Sequence, residues 1–223
     1  MIKGIEKYRY ERKYVIENKL NFLIKDFIKN NQLMFFKEYE NRTVNTIYFD
    51  NSNLDFYNQN LNGLYNREKI RIRWYSEQLK IIKPILELKI KKGNLGKKLL
   101  YNLPSINNNQ EPFVSVMNSL YKNNLNKFIK EKICRYRANS FISYKREYFV
   151  SRQTNCRLTL DSDIRFYNVF ANKLNKRYQK YERNILEIKF AANEDSLLID
   201  GLSDLPLRNY RHSKYVECLN MIR

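Results

Sequence analysis

The chain has 223 residues, with 42 Lys and Arg against 23 Asp and Glu, a formal net charge of +19. Apolar residues make up 43% of it, including 18 Tyr and 13 Phe, which excludes global disorder; five Gly and four Pro exclude a collagen-like or low-complexity chain. No apolar run approaches the ~20 residues that span a bilayer, three scattered Cys suit no disulfide framework, and a single His excludes a multi-His metal centre.

The stretch from Met1 to Tyr14 is charged and has no signal-peptide core. Together with the free cysteines this predicts a reducing, cytoplasmic compartment. The excess of cations predicts an anionic partner: nucleic acid, an anionic membrane surface or a phosphate-rich small molecule.

In chain order, residue alternation predicts a first strand at Lys7–Ile16. A helix follows over Glu17–Lys29, where Leu20, Leu23, Ile24, Phe27 and Ile28 recur at helical spacing. Strands are then expected at Thr43–Phe49, Glu68–Tyr75, Ile85–Lys92 and Lys97–Leu103. Pro104 to Pro112 is the most linker-like stretch. Phe113–Lys130 reads as a helix, with Val116, Met117, Leu120, Tyr121, Leu125 and Phe128 on one stripe. Strands follow at Phe141–Phe149 and Cys156–Asp161. The basic stretch Asn172–Arg183 reads as a solvated loop or helix face; if functional, it would guide a polyanion or touch an anionic membrane. A strand at Ile185–Phe190 and a short helix at Ser213–Met221 complete the chain. The pattern predicts one α+β domain over residues 1–223, built on a large antiparallel sheet or barrel of about eight strands.

Strand side chains alternate between faces. Lys69, Arg71 and Arg73 therefore oppose Ile70, Ile72 and Trp74, while Glu87, Lys89 and Lys91 oppose Leu86, Leu88 and Ile90. Arg157, Thr159 and Asp161 oppose Leu158 and Leu160, and Glu187 and Lys189 oppose Leu186, Ile188 and Phe190. In the first strand Arg9, Glu11 and Lys13 share a face. Two readings fit. Each strand lies on a core with its charges in water, or a closed barrel turns its apolar side outward under helices and lines its interior with charge. The second makes sense only around a polyanion, since like charges repel strongly where solvent is restricted.

At this point the residues resemble a known family, the triphosphate tunnel metalloenzymes, and within them the VTC-type polyphosphate polymerase domain. The matching pieces are Arg9-Tyr10-Glu11-Arg12-Lys13-Tyr14, Ile47-Tyr48-Phe49-Asp50 with Leu54-Asp55-Phe56-Tyr57, Lys69-Ile70-Arg71-Ile72-Arg73 and Leu86-Glu87-Leu88-Lys89. They continue with Tyr144-Lys145-Arg146-Glu147-Tyr148, Arg157-Leu158-Thr159-Leu160-Asp161, Leu186-Glu187-Ile188-Lys189-Phe190 and Ser213-Lys214-Tyr215. The broader superfamily opens with Glu-x-Glu-x-Lys. Here Arg9 stands at the first Glu, a departure that resembles the VTC branch and removes one acidic ligand.

The resemblance implies a closed antiparallel barrel with helices outside. It also implies a phosphotransferase that adds the γ-phosphoryl of ATP to inorganic polyphosphate, with Mn2+ or Mg2+. Its implied catalytic residues are Arg71, Arg73, Lys89, Arg146, Arg157 and Lys214. Arg9, Lys13, Lys69, Tyr144, Lys189 and Arg211 would bind phosphate, and Arg211 to Lys214 would span one helical turn. Glu187 is the first choice for metal ligand, with Glu11 and Glu87 as further candidates that could instead pair with neighbouring cations. Asp161 reads as a strand-end residue or a further ligand, His212 as structural and the cysteines as small core residues. A triphosphate hydrolase of the same fold and a non-enzymatic polyanion or nucleic-acid binder are the alternatives. The resemblance implies ATP and inorganic polyphosphate as partners; no nucleic-acid motif is present, no transmembrane segment is expected, and association with a membrane surface or a membrane protein is compatible with the sequence.

Overall fold

A computed structural model describes residues 9–77, 80–93, 95–106, 112–122, 125, 127–170, 173–191, 201, 202, 205 and 207–222. Nine strands run β1 (Arg9–Glu17), β2 (Phe35–Asp50), β3 (Asn66–Tyr75), β4 (Ile85–Lys92), β5 (Leu95–Asn102), β6 (Arg137–Ser151), β7 (Arg157–Phe170), β8 (Lys173–Tyr181) and β9 (Arg183–Ala191). Among the described residues the helices with given bounds are α1 (Asn21–Asn30), α2 (Asp55–Leu61), α3 (Pro112–Lys122), α4 (Lys127–Cys134) and α5 (Lys214–Ile222), with a 3-10 turn at Asn18–Leu20.

The architecture is the expected α+β, with hydrogen-bonded strand order β1-β9-β7-β6-β2-β3-β4-β5 and β8 paired to β7. The ladder is open, with β1 and β5 as its ends. Among the described residues no pairing joins those two strands, so barrel closure is not part of the pairing observed. The chain divides into two compact units of discontinuous segments. One comprises Met1–Arg42, Lys145–Ile164 and Tyr181–His212; the other comprises Thr43–Tyr144, Arg165–Lys180 and Ser213–Arg223.

In the first unit, Tyr14 and Ile16 of β1, Leu158 and Leu160 of β7, and Leu186, Ile188 and Phe190 of β9 join Ile24 and Ile28 of α1 in one core. The helix thus covers the apolar face of these strands, and the charged face lies opposite. In the second unit Ile70, Leu86 and Leu88 meet Ile129 and Ile133 of α4 around one small cavity. Trp74 stacks on Phe141 at 5.6 Å, and Phe113 of α3 meets Phe141 edge-on. Again helices sit on the apolar side.

Several boundaries differ from the sequence expectation. The helix expected at Phe113–Lys130 corresponds to two described helices, α3 ending at Lys122 and α4 beginning at Lys127, and residues 123, 124 and 126 lie outside the described residues. The basic stretch at Asn172–Arg183 is neither loop nor helix: β8 occupies Lys173–Tyr181, while residue 172 and part of the linker-like stretch, 107–111, lie outside the described residues. Its exposure on both faces leaves no period-two signal. Helix α2 escapes detection because it buries one residue, Phe56. Among the described residues no helix is long and apolar enough to cross a membrane.

Candidate functional site

The first unit assembles its charged face from three strands. Register places Lys13 of β1, Glu187 of β9 and Thr159 of β7 in one cross-strand row, and Glu11, Lys189 and Arg157 in the next. Residues directly opposite share a face. Lys13 Nζ lies 2.6 Å from Glu11 and 3.8 Å from Glu187, and Lys189 Nζ lies 2.7 Å from Glu187. Arg146 of β6 donates two hydrogen bonds to Asp161, Nε to Oδ1 at 2.5 Å and Nη2 to Oδ2 at 2.7 Å. The paired geometry is the strong form of this contact.

Burial by itself would raise the Glu187 carboxyl, but Lys189, Lys13 and Arg146 outweigh it and hold it well below the usual carboxylate range. The segment before α5 docks on β1: Tyr210 N–H donates to the Lys13 carbonyl at 2.7 Å, and Lys13 Nζ reaches the His212 carbonyl at 3.4 Å. His212 is buried, its Nε2 3.4 Å from the Tyr181 hydroxyl. Arg157 is exposed, with Glu38 at 3.9 Å. Arg211 is exposed and precedes α5, which begins at Lys214, so the expected helical turn from Arg211 to Lys214 does not form. The Arg9 side chain lies outside the described residues.

The second unit builds its charged face on β3, β4 and β5. Lys69, Lys89 and Lys98 are direct cross-strand neighbours, a row of three ammonium groups. In the adjacent row Arg71 faces Glu87. Arg71 Nε donates to Glu87 Oε2 at 2.6 Å, and Lys98 Nζ reaches Oε1 at 3.1 Å. Burial would raise the Glu87 carboxyl; Arg71, Arg73 and Lys98 offset it and hold the pKa down at about 2. Glu87 is thus the counter-ion of a basic cluster. Arg73 is buried, its Nε 3.4 Å from Thr46 Oγ1.

The start of α5 belongs to the same cluster. Ser213 caps the helix: its carbonyl accepts the Glu217 N–H at 3.0 Å, and its Oγ accepts Lys69 Nζ at 2.8 Å. Lys214 Nζ lies 5.0 Å from the Tyr144 ring centroid. Tyr215 stacks on Tyr48, whose hydroxyl accepts from Arg71 at 3.4 Å.

Each unit therefore brings together most of its expected residues. Lys13, Glu11, Lys189, Glu187 and Arg146 cluster in the first; Lys69, Arg71, Arg73, Lys89, Glu87, Tyr144 and Lys214 cluster in the second. Lys98, Tyr48 and Thr159 join them without having been singled out. The parity of Lys98 was readable, but its place beside Lys89 depends on register. Cys156 and Cys218 are buried, as core residues should be, whereas Cys134 is exposed. Burial pushes the Cys218 thiol up to about 12, with Ser140 and a Tyr167 backbone contact opposing.

Glu11 and Glu187, paired here with Lys13 and Lys189, are the carboxylates of this face that could hold a hard divalent cation. Glu11 and Glu187 offer carboxylate oxygens around one ammonium, and the buried Thr159 Oγ1, in the Glu187 row, has no hydrogen-bond partner. Among the described residues no three His, Cys, Asp or Glu side chains converge. Two carboxylates with the rest of the shell from water and substrate phosphate is the usual Mg2+ arrangement.

A family model described as VTC domain matches residues 8–223. No curated protein matches the chain. Solved structures share the fold at low identity. A candidate adenylate cyclase from Bacillus halodurans aligns at TM-score 0.54 and 11% identity, covering 97% of this chain and 98% of that one. A candidate adenylyl cyclase from Hippeastrum, reported to have a dominant triphosphatase activity, aligns at 0.53 and 15%, covering 94% of each. A third, from Vibrio parahaemolyticus, aligns at 0.51 and 13%, covering 97% and 99%. The match spans nearly the whole length, and the charged strand faces carry the residues on which the resemblance rests: this chain belongs to the VTC domain family.

Proposed function

We propose that the chain is a polyphosphate polymerase, a metal-dependent phosphotransferase that adds the γ-phosphoryl of ATP to a growing inorganic polyphosphate chain in a basic barrel tunnel of the kind the family resemblance implies. The observation that carries this reading is the row Lys69, Lys89 and Lys98. Ser213 and Glu87 engage Lys69 and Lys98, yet Lys69, Arg71, Arg73, Lys89 and Lys98 share this face with the one carboxylate of Glu87 among these rows, and such an excess of cations suits a polyanion. Within each unit the burial of charged groups points the same way: Arg73 and Glu87 in the second unit, and Asp161 and Glu187 in the first, are all at most 9% exposed, unlike a solvated strand face.

Phosphoryl transfer depends on positioning and charge stabilisation. A terminal phosphate oxygen of the polymer attacks the γ-phosphorus, forming a new P–O–P bond. The bond to the β–γ bridging oxygen breaks, and ADP leaves with that electron pair. The attacking oxygen is already anionic, so no general base is required.

In this reading Arg71 and Arg73 clamp phosphate oxygens as planar forks, and Lys69 and Lys89 add ammonium charge. Arg146, Arg157, Lys13 and Lys189 serve the same purpose on the Glu187 face, and the family resemblance implies the same role for Arg9. Lys214, with Tyr144 beneath it and Arg211 before it, meets the transferring group. Glu187 and Glu11 would hold a divalent cation, Mn2+ or Mg2+, which when bound would offset the charge of phosphate oxygens. Glu87 orients Arg71.

The test is to incubate the pure chain with γ-labelled ATP and Mn2+ and separate long polymer from free phosphate. Polymer as the main product supports the proposal. Free phosphate alone assigns the chain to the triphosphate hydrolases instead, and neither product contradicts both.

A further inference from the structure

The β7–β8 hairpin carries a charge density that the proposed site does not use. Between Asp163 and Glu182 there is no acidic residue, while Arg165, Lys173, Lys176, Arg177 and Lys180 supply five cations. Lys173, Lys176, Arg177 and Lys180 are all exposed. Strand β8 pairs only β7 among the described strands, so its other edge presents backbone N–H groups as well. The strand is held in place by Tyr178, whose ring lies 5.2 Å from the Arg165 guanidinium and 5.4 Å from Tyr167.

Lysines on an edge strand also discourage edge-to-edge pairing. That role needs one or two of them, and a chain at +19 gains no solubility from the rest; added cations only increase self-repulsion. Parity puts Lys173 and Arg177 on one face and Lys176 and Lys180 on the other. A membrane would be met by one face alone. An extended, flexible polyanion running along the edge is met from both.

We propose that the exposed edge of β8 is a second polyanion site, binding a long inorganic polyphosphate chain outside the catalytic cluster. The identity of the ligand rests on the proposed function. The site itself is separable, because none of its residues is among those placed in the catalytic cluster.

The experiment measures binding of a labelled long-chain polyphosphate to the full chain at several salt concentrations. The comparison variant carries Lys173→Gln, Lys176→Gln, Arg177→Gln and Lys180→Gln. The variant should bind the long chain roughly tenfold or more weakly at 0.15 M salt, with a log–log salt slope shallower by about three. Its stabilisation by tripolyphosphate should be unchanged. The charge-preserving variant Lys173→Arg, Lys176→Arg, Lys180→Arg should bind as the wild type does. Amine labelling of the wild type gives an independent reading: long polyphosphate should protect Lys173, Lys176 and Lys180, and tripolyphosphate should not. Unchanged long-chain affinity with no protection overturns the proposal. So does an equal loss of tripolyphosphate stabilisation, or a loss confined to phosphatidylserine vesicles. Failure of polymer synthesis with the hairpin result intact would count against the proposed activity and leave this site standing.

Discussion

The Tyr215 phenol donates to Asp50 Oδ2 at 2.6 Å while its ring stacks on Tyr48 at 5.0 Å. Asp50 also accepts the backbone N–H groups of Asn51, Phe56 and Tyr57. One buried carboxylate thus ties the end of β2 and the start of α2 to α5. The residue before Tyr215 is Lys214, so this contact sets where the ammonium over Tyr144 can lie.

Tyr215→Phe keeps the ring and removes the hydroxyl. Loss of a hydrogen bond to a charged acceptor should destabilise the chain by roughly 2 kcal/mol in urea unfolding. Tyr215→Ala also removes the stacked ring and should cost about 3–5 kcal/mol. Equal stability of Tyr215→Phe and wild type would show that Asp50 is satisfied without the phenol.

Breaking the Arg146–Asp161 pair should be more damaging than its distances suggest. Asp161 is fully buried, and Asp161→Asn removes the carboxylate that holds the Arg146 guanidinium through two hydrogen bonds, with the Glu187 charge remaining. A loss of roughly 3–5 kcal/mol is expected, read as a lower urea midpoint. Tripolyphosphate should recover part of it by supplying an anion to Arg146. A variant as stable as wild type would mean that other groups compensate Arg146.

The pH dependence follows from Glu87. Its folded pKa of about 2 lies below the ordinary 4.5, so its contribution is complete above pH 4.5 and disappears as pH falls through 2. The full effect is roughly 3 kcal/mol. Glu187, also held low, acts in the same direction. Unfolding followed from pH 6 to pH 2 should show this loss, and Glu87→Gln should show a shallower one. An unchanged slope in the variant would contradict the assignment.

Lys89→Ala relieves the middle of the lysine row. Without ligand the variant should be as stable as wild type or more stable, by up to about 1 kcal/mol. Its gain in melting temperature with millimolar tripolyphosphate should shrink. High salt should raise the wild-type melting temperature as well, by screening the same repulsion. A full tripolyphosphate shift in Lys89→Ala would remove that row from the binding site.

Much of this arrangement is legible from alternation alone. The Ile85–Lys92 strand has the expected boundaries, and Leu86, Leu88, Leu186 and Ile188 are buried as their parity requires. Alternation assigns a face but not a neighbour. That Lys98 falls beside Lys89, and Thr159 beside Glu187, is set by register. The burial of Asp161 and Glu187 is equally invisible, since a charged strand face reads the same in water or enclosed. Strand β8 was missed for the opposite reason: with polar residues on both faces it has no apolar side to alternate against.

The most direct test of the central claim is Glu187→Gln, which keeps the shape and removes the charge. Polymer and free phosphate made from γ-labelled ATP, together with Mn2+ binding followed by electron paramagnetic resonance, should be compared with wild type. The account predicts that polymer formation is lost and Mn2+ binding weakened, while tripolyphosphate still raises the melting temperature through the basic cluster. Polymer formation at the wild-type rate with the same Mn2+ requirement would contradict it.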